Sequence, residues 1–450
     1  MSGVKKAIFF VLLLFALQPI SASSFAQTSV LQSGPMVCFS EMREVSLWVQ
    51  TNEQAIVRFE YWEKHKPEEK HSTISAEAIK FYGYTCELIA DEVEPGKTYE
   101  YTLFINEKPV DRPYPLEFRT PALWQWRGNP PEFTVAVGSC AYINEAQFDR
   151  PGKGYGGGYE IFESIHKKRP DLMLWLGDNV YYREPDWNTR TGMIYRYTHT
   201  RSLPELQPLL GSTHHYAIWD DHDYGPNNSD RSFWNKDNAL EVFKLFWGNP
   251  SYGVNGMPGV TTQFQWGDVD FFLLDNRFFR TPDTRKTGDR TLLGKEQFEW
   301  LIDALCTSQA TFKIIAIGGQ VLNSVADFET YATYGDEREH LIDEITKNNI
   351  SGVIFVSGDR HFAELSKLPR DGNYPLYEVT TSPLTSGPYI GAAREQNKYR
   401  EKGTIVTERN FATMTFSGSE SDRKVTITVF NTKGEKLWSK TIEAAELRNL

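Results

Sequence analysis

The chain of 450 residues carries 59 acidic and 48 basic side chains, a net charge of −11, and is 40% hydrophobic and 14% aromatic. That length supports two domains and a sizeable core, and the acidic balance excludes a broad electrostatic attraction to nucleic acid or to an anionic surface. Small anionic substrates stay open wherever bound cations or local arginines reverse the field.

Lys5 and Lys6 precede an apolar run over residues 7–17, and small residues continue up to Ser24-Phe25-Ala26 before Gln27. This is the layout of a secretory signal covering residues 1–26, and it predicts export to the periplasm or the extracellular space. The run falls short of the ~20 residues needed to span a bilayer. No cysteine lies beside the cleavage region, and no later segment is apolar enough to cross a membrane.

From residue 32 to 121, short β-rich segments at 45–50, 55–61, 81–89, 98–106 and 116–120 alternate with turns such as Glu94-Pro95-Gly96-Lys97. The spacing predicts a small all-β N-terminal domain of immunoglobulin or fibronectin type. Residues 121–131 read as a linker whose Trp124 and Trp126 dock it onto the next domain. Cys38 and Cys86 both fall in this first domain, and a bridge between them stays open. Cys306, near the end of an amphipathic segment, reads as buried packing.

Over residues 132–447 the pattern changes to strands alternating with helical segments at 158–168, 237–247, 294–305 and 337–347. Alternation of that kind predicts an α/β domain, a largely parallel sheet covered on both faces. The glycine-rich stretch 149–159 lacks the Lys-Ser/Thr ending of a phosphate-binding loop and reads as plain loop. Alternating segments at 411–416, 424–431 and 437–441 close the sheet.

Six apolar strands in this region each hand over to polar residues. Residues 133–137 lead to Gly138-Ser139-Cys140, and 172–176 to Gly177-Asp178-Asn179-Val180-Tyr181. Residues 215–219 lead to Asp220-Asp221-His222-Asp223, and 271–274 to Asp275-Asn276-Arg277. Residues 312–317 lead to Gly318-Gly319-Gln320, and 353–356 to Ser357-Gly358-Asp359-Arg360-His361. The carboxyl ends of parallel strands are where open α/β sheets bind ligands, so six such loops predict one site.

The residue types there point to a metal cluster. Asp178 and Tyr181 are spaced to aim two hard anionic donors at one ion, a tyrosinate favours ferric iron over magnesium, and Cys140 and His361 complete a first site. Asp221 and Asp359 suit a second ion, with Asp178 bridging the two, a device that recurs in phosphoryl hydrolysis. His222, beside a ligand, is set to protonate the leaving oxygen or to hydrogen-bond the phosphoryl group. Asp220 and Asp223 flank that ligand and read equally well as loop braces. Asn227, Asn228 and Asp230 read as polar shell, calcium ligands or a helix cap. Arg360 reads as a phosphate contact or as the partner of an acid. His65, His71, His214 and His215 lack such a setting.

These motifs, in this order, resemble the calcineurin-like metallophosphoesterase superfamily and within it the PhoD-type alkaline phosphatases. The resemblance runs from about residue 34 to the C-terminal strands. It implies a metallophosphoesterase-type sheet sandwich flanked by helices and preceded by the small β-domain. It also implies Asp178 as the bridging ligand, an iron (Fe3+) site with Cys140 and Tyr181 as ligands, and calcium (Ca2+) as partner metal. Arg277 and Arg280 match the family's arginine-bearing strand end, which implies bidentate phosphate binding by one of them.

The chain departs from the pattern in three places. Ser139-Cys140 stands where the wider superfamily opens with Asp-x-His. Gln320 stands where a second-metal histidine is usual, which makes that site oxygen-rich, favours calcium over zinc and frees Gln320 for substrate. Lys5-Lys6 replaces the arginine pair of twin-arginine signals, so a Sec route with iron acquired after export is expected. Together these readings predict an exported phosphoesterase, an alkaline phosphatase of the PhoD type acting by metal-activated hydroxide on a small phosphoester. Its rivals are a phosphodiesterase or phospholipase D-like activity at the same site, and a non-catalytic surface-binding protein.

Overall fold

The computed structural model describes residues 30–449. The secretory signal read over residues 1–26 lies outside the described residues. No helix among the described residues is long and apolar enough to cross a membrane.

Two mixed sheets form the centre. The larger has nine strands, in the order Lys436–Glu443, Lys424–Asn431, Asn410–Ser417, Phe133–Gly138, Leu172–Leu176, His214–Ile218, Leu31–Ser40, Val45–Thr51 and Thr85–Ala90. The second has six: Thr262–Trp266, Val269–Leu273, Phe312–Ile317, Val353–Ser357, Asn373–Thr380 and Glu364–Arg370. Three predicted strands run parallel in the first sheet and three in the second. The single largely parallel sheet expected for residues 132–447 is therefore two sheets. Sequences such as LMLWL and FKIIAI are buried along their whole length, and such a run fits any strand covered on both faces, so it carries no record of which sheet it joins.

The sheets meet face to face through stacked rings. Tyr216 of the first lies 3.7 Å from Phe264 of the second, and Phe264 stacks on Phe271 at 4.7 Å. Phe133 and Phe416 stack at 4.8 Å across the first sheet, with Phe312 of the second 5.4 Å away. The outer faces carry helices. Trp175 turns outward against Phe162 of helix Glu160–Lys167, and Phe272 turns outward against Trp300 of helix Lys295–Thr307. Phe271 and Phe272 thus serve opposite faces, as the two-residue period of a strand requires.

Helix Arg190–Arg201 has no counterpart in the predicted elements. Its buried side mixes Met193 and Tyr197 with two arginines: Arg196 is fully buried between Asp186 and Glu145, each at 2.8 Å, and Arg201 lies 3.7 Å over the Trp247 ring. The apolar period is interrupted because ion pairs and a ring contact take part of the buried side.

Between Leu31 and Arg119 every strand outside the nine-stranded sheet belongs to a small layer built on Ala55–Glu63 and Thr98–Ile105. That layer packs on Val37, Val45, Leu47, Val49, Cys86 and Leu88. The same sheet edge therefore continues the large sheet and covers the small layer. Cys38 faces the opposite side, against Trp48 and Gly248, so Cys38 and Cys86 lie across a sheet from each other and both thiols are free. Two expectations are corrected here. Cys306 is exposed, on the outer side of the last turn of its helix, and Trp126 is 96% exposed rather than docked.

Candidate metal centre

The parallel strands of both sheets end at one rim, and the turns beyond them are in direct contact. Gly358 N–H donates to Gly318 O at 2.7 Å, and Cys140 N–H donates to Gly177 O at 3.2 Å. Two glycines permit this approach. A Cβ on Gly358 would lie 2.3 Å from Ser139 Oγ, and one on Gly177, whose φ is +92°, would lie 2.6 Å from Asp220 Cβ. The turns aim their side chains by unusual backbone: Cys140, Asp178, Asn228, Asp359 and His361 all have φ between +53° and +64°. Such conformations cost about 1–3 kcal/mol apiece for non-glycine residues and persist where surrounding structure over-determines them.

Asp178 is the centre of the arrangement. Its Oδ2 accepts from Tyr181 Oη at 3.1 Å and from the Cys140 thiol at 3.6 Å, while Oδ1 accepts from His222 N–H at 3.2 Å. His361 Nε2 lies 3.3 Å from Tyr181 Oη, and Ser382 Oγ donates to Cys140 Sγ at 3.1 Å. Donor atoms of Cys140, Asp178 and His361 lie within 4.8 Å of one another, as do those of Asp178, Asp221 and His222, and those of Asp220, Asp221 and Asp359. Asp178 belongs to the first two groups and Asp221 to the last two, so the three groups form one chain of donors.

The electrostatics match a cation-binding site. Burial, reinforced by Asp221, Asp220, Asp223 and Asp359, pushes the Asp178 carboxyl well above the usual range. Burial and then Asp220 and Glu329 do the same to Asp359. Burial and then Asp178 raise both the Cys140 thiol and the Tyr181 phenol. Burial pulls His361 down to about 4. Asp221 is the exception: burial raises it, but His222, Arg277 and the Asn228 N–H together hold it at about 2. Asp220 Oδ2 is buried without a hydrogen-bond partner among the described residues. Carboxylates crowded in this way are at ease only around a cation, and a thiol, a phenol and an imidazole on one side with oxygen donors on the other fit two chemically different ions.

A cleft of about 370 Å³ opens onto this cluster, lined by Asp178, Asp221, His222, Asn228, Asp359, Arg360 and His361 among others. Cys140 and Tyr181 lie beneath it, fully or almost fully buried. The arginines matched to phosphate binding are placed elsewhere. Arg277, 0% exposed, is clasped by Asp220 and by Glu329, whose oxygens lie 2.8 and 3.1 Å from it. Arg280 is held by Asp283 at 3.1 Å and Glu329 at 3.0 Å. Gln320 is wholly buried, donating to Glu364 and Thr380 at 2.8 Å and accepting from Arg360 at 2.7 Å. None of these three lines the cleft. Arg360 does, with one Nη held by Gln320 and the other ion-paired to Glu395.

Asp223 holds the loop: it accepts from Asn179 N–H and side chain at 3.1 and 2.7 Å and from Asp220 N–H at 2.6 Å. Tyr155, Phe328, Glu329 and Tyr389 line the cleft and were not among the expected site residues. Tyr155 sits in the glycine-rich loop and reaches His361 Nδ1 at 3.0 Å. None of these residues lies just after a predicted strand, so strand-end logic had no signal for them.

Comparison with known proteins finds similar sequences and folds. The PhoD-like phosphatase family model matches residues 248–429. Alkaline phosphatase D of Bacillus subtilis (strain 168) is 25% identical over 355 residues, covering 68% of this chain and 57% of that protein. The match thus spans just over half of the curated relative's length. A solved structure of PhoD superposes with a TM-score of 0.75 at 18% identity, covering 92% of this chain and 90% of that one. Purple acid phosphatase PPD1 from yellow lupin (Lupinus luteus) seeds gives 0.65 at 13% identity, covering 92% and 75%. By sequence the chain is similar to PhoD-like phosphatases, and by fold it is similar to both solved enzymes.

Proposed function

We propose that the protein is an exported metal-dependent phosphoric ester hydrolase, an alkaline phosphatase of the PhoD type, with residues 132–447 as its catalytic unit beside an N-terminal β-region at 32–121 and a signal at 1–26. The observation that carries the reading is the two-sided Asp178 carboxylate, with Tyr181 and Cys140 on Oδ2 and the backbone of His222, next to Asp221, on Oδ1. That is the geometry asked of a bridging ligand.

Cys140, Tyr181 and His361 with Asp178 would hold Fe3+, and Asp221 and Asp359 with Asp178 would hold Ca2+, the oxygen-rich side suiting the harder ion. When bound, such a pair supplies an activated water and charge stabilisation for the phosphoryl oxygens. The chain does the rest. Burial of Cys140 and Tyr181 keeps competing water from their donor atoms, and Asp223 fixes the Asp178–Asn179 turn. His222, at the cleft wall with its Nε2 3.9 Å from Asp221 Oδ2 and its imidazole pulled down by burial, is placed to hydrogen-bond the phosphoryl group or to protonate a leaving oxygen. Arg360 lines the cleft with its guanidinium held by Gln320 and Glu395, and it lends positive charge to that wall.

The test is metal analysis of the protein from its native compartment together with hydrolysis of p-nitrophenyl phosphate with and without chelator. Expected are iron and calcium, a visible charge-transfer band, and loss of turnover on chelation. Full turnover by a colourless, iron-free preparation removes iron from the scheme, and turnover indifferent to every chelator removes the metal mechanism.

A further inference from the structure

The cleft has a mouth as well as a floor, and the mouth is aromatic. Phe328 and Tyr389 stand at its edge with ring centroids 5.7 Å apart and planes tilted by 52°. They are 54% and 39% exposed, and Tyr155, 44% exposed, faces His361 from the other wall. Large rings left in water gain from contact with an apolar body.

The loop that carries Phe328 is braced. Phe328 and Glu329 are consecutive non-glycine residues in the left-handed region, at φ +47° and +64°. The Glu329 carboxylate is held by both Arg277 and Arg280, which are themselves buried. The two arginines that sequence matching assigned to phosphate therefore act one step away, fixing through Glu329 the place of the ring next to it. Arg360 stacks its guanidinium 5.4 Å from the Phe328 centroid, so the ring adjoins the cationic edge of the cleft.

We propose that Phe328 and Tyr389 form a leaving-group subsite that selects phosphoesters whose leaving group carries a planar unsaturated ring. This rests on the phosphoesterase reading and names its substrate class. A cleft of about 370 Å³ takes a phosphoryl group and a ring-sized body. Two rigid π faces held at a fixed tilt reward a flat partner over a flexible one of equal area, because a flat partner loses less conformational freedom on stacking.

The experiment compares kcat/KM for phenyl phosphate and for glycerol 2-phosphate in the parent enzyme, Phe328→Ala, Phe328→Trp and Tyr389→Ala. Adenosine 5′-monophosphate is added to tell a ring at the ester oxygen from one a ribose away. Phe328→Ala is expected to lower the phenyl-to-glycerol ratio about tenfold, the scale of one ring contact, mainly through KM. Phe328→Trp restores it, and Tyr389→Ala lowers it separately. A fall confined to the nucleotide assigns the subsite to nucleosides and still supports it. Phenyl-to-glycerol and nucleotide-to-glycerol ratios that both stay within twofold of the parent in both alanine variants overturn the proposal, even though turnover persists. Should the parent turn over neither ester, the phosphoesterase reading fails by itself. Equilibrium binding of phenylphosphonate against methylphosphonate then decides the lip, and equal affinities overturn it.

Discussion

Two clusters of buried charge adjoin at the strand ends, and they are built on opposite plans. In one, Arg277 lies between Asp220 and Glu329, and Arg280 between Glu329 and Asp283, so cation and anion alternate. In the other, Asp178, Asp221 and Asp359 converge with Cys140 and Tyr181, and Asp178 has no side-chain cation against it among the described residues. Asp220 belongs to both, giving Oδ1 to Arg277 and leaving Oδ2 without a partner among the described residues. The lesson is that a position after a strand brings a residue to the rim, whereas local charge balance decides whether it braces the rim or stays available to a ligand.

The sharpest way to break this contrast is to neutralise one member of each cluster. Asp178→Asn should abolish hydrolysis, by roughly 10³-fold or more, yet raise the melting temperature in chelator, because it removes a buried charge that has no counter-charge. A melting temperature that falls in chelator would show that Asp178 is compensated after all. Arg277→Ala should do the reverse to stability, costing about 3–5 kcal/mol in denaturant titration by leaving Asp220 and Glu329 buried and unpaired.

A pH titration of the chelated protein sharpens the contrast next. Burial raises Asp223 to about 8 and, against Arg277, Asp220 to about 6. Both folded values exceed the unfolded ~3.9, so stability is fullest at low pH and is lost as pH rises through about 6 and 8. In the core of the large sheet, burial pushes His214 down to about 4 and His215 to about 3. Their unfolded value is ~6.5, so their contribution is present above that pH and is lost as pH falls through about 4 and 3. Melting temperature in chelator should therefore peak at about pH 5–6. Added cations, by holding the carboxylates charged, should move the peak upward. A chelated profile flat from pH 5 to 9 would contradict the charge balance described for the centre.

The smallest expected effect separates the thiols. Cys306→Ser, at an exposed helix end, should change stability by no more than about 0.5 kcal/mol and leave any visible absorption intact. Cys140→Ser should remove or shift that band.

Much of the site was legible because apolar runs ending in Gly-Asp, Ser-Cys or Asp-Asp-His announce themselves without knowledge of their neighbours. Cys140, Tyr181, His361 and Asp221 meet around the Asp178 carboxylate, and Asp221 links it to Asp359. Arg277, Arg280 and Gln320 were legible as strand-end residues but not as to direction, since the partners that turn them from the cleft, Glu329 and Glu364, lie 52 or fewer residues away in loops and strands with no pattern of their own. Helix Arg190–Arg201 was hidden for a similar reason, its buried face being partly salt-bridged.

The sequence by itself determined which residues could be ligands and that they sit on turns after buried strands, because both properties are local: a side chain's donor atoms and a short apolar run bounded by glycine. Only the tertiary structure decided that the strands divide between two sheets, that Cys38 and Cys86 face apart, and that an exposed phenylalanine overhangs the cleft. Those outcomes depend on which strand pairs with which and on where each buried charge finds its counter-charge. Both are settled by contacts between residues far apart in the chain, and no local pattern records them.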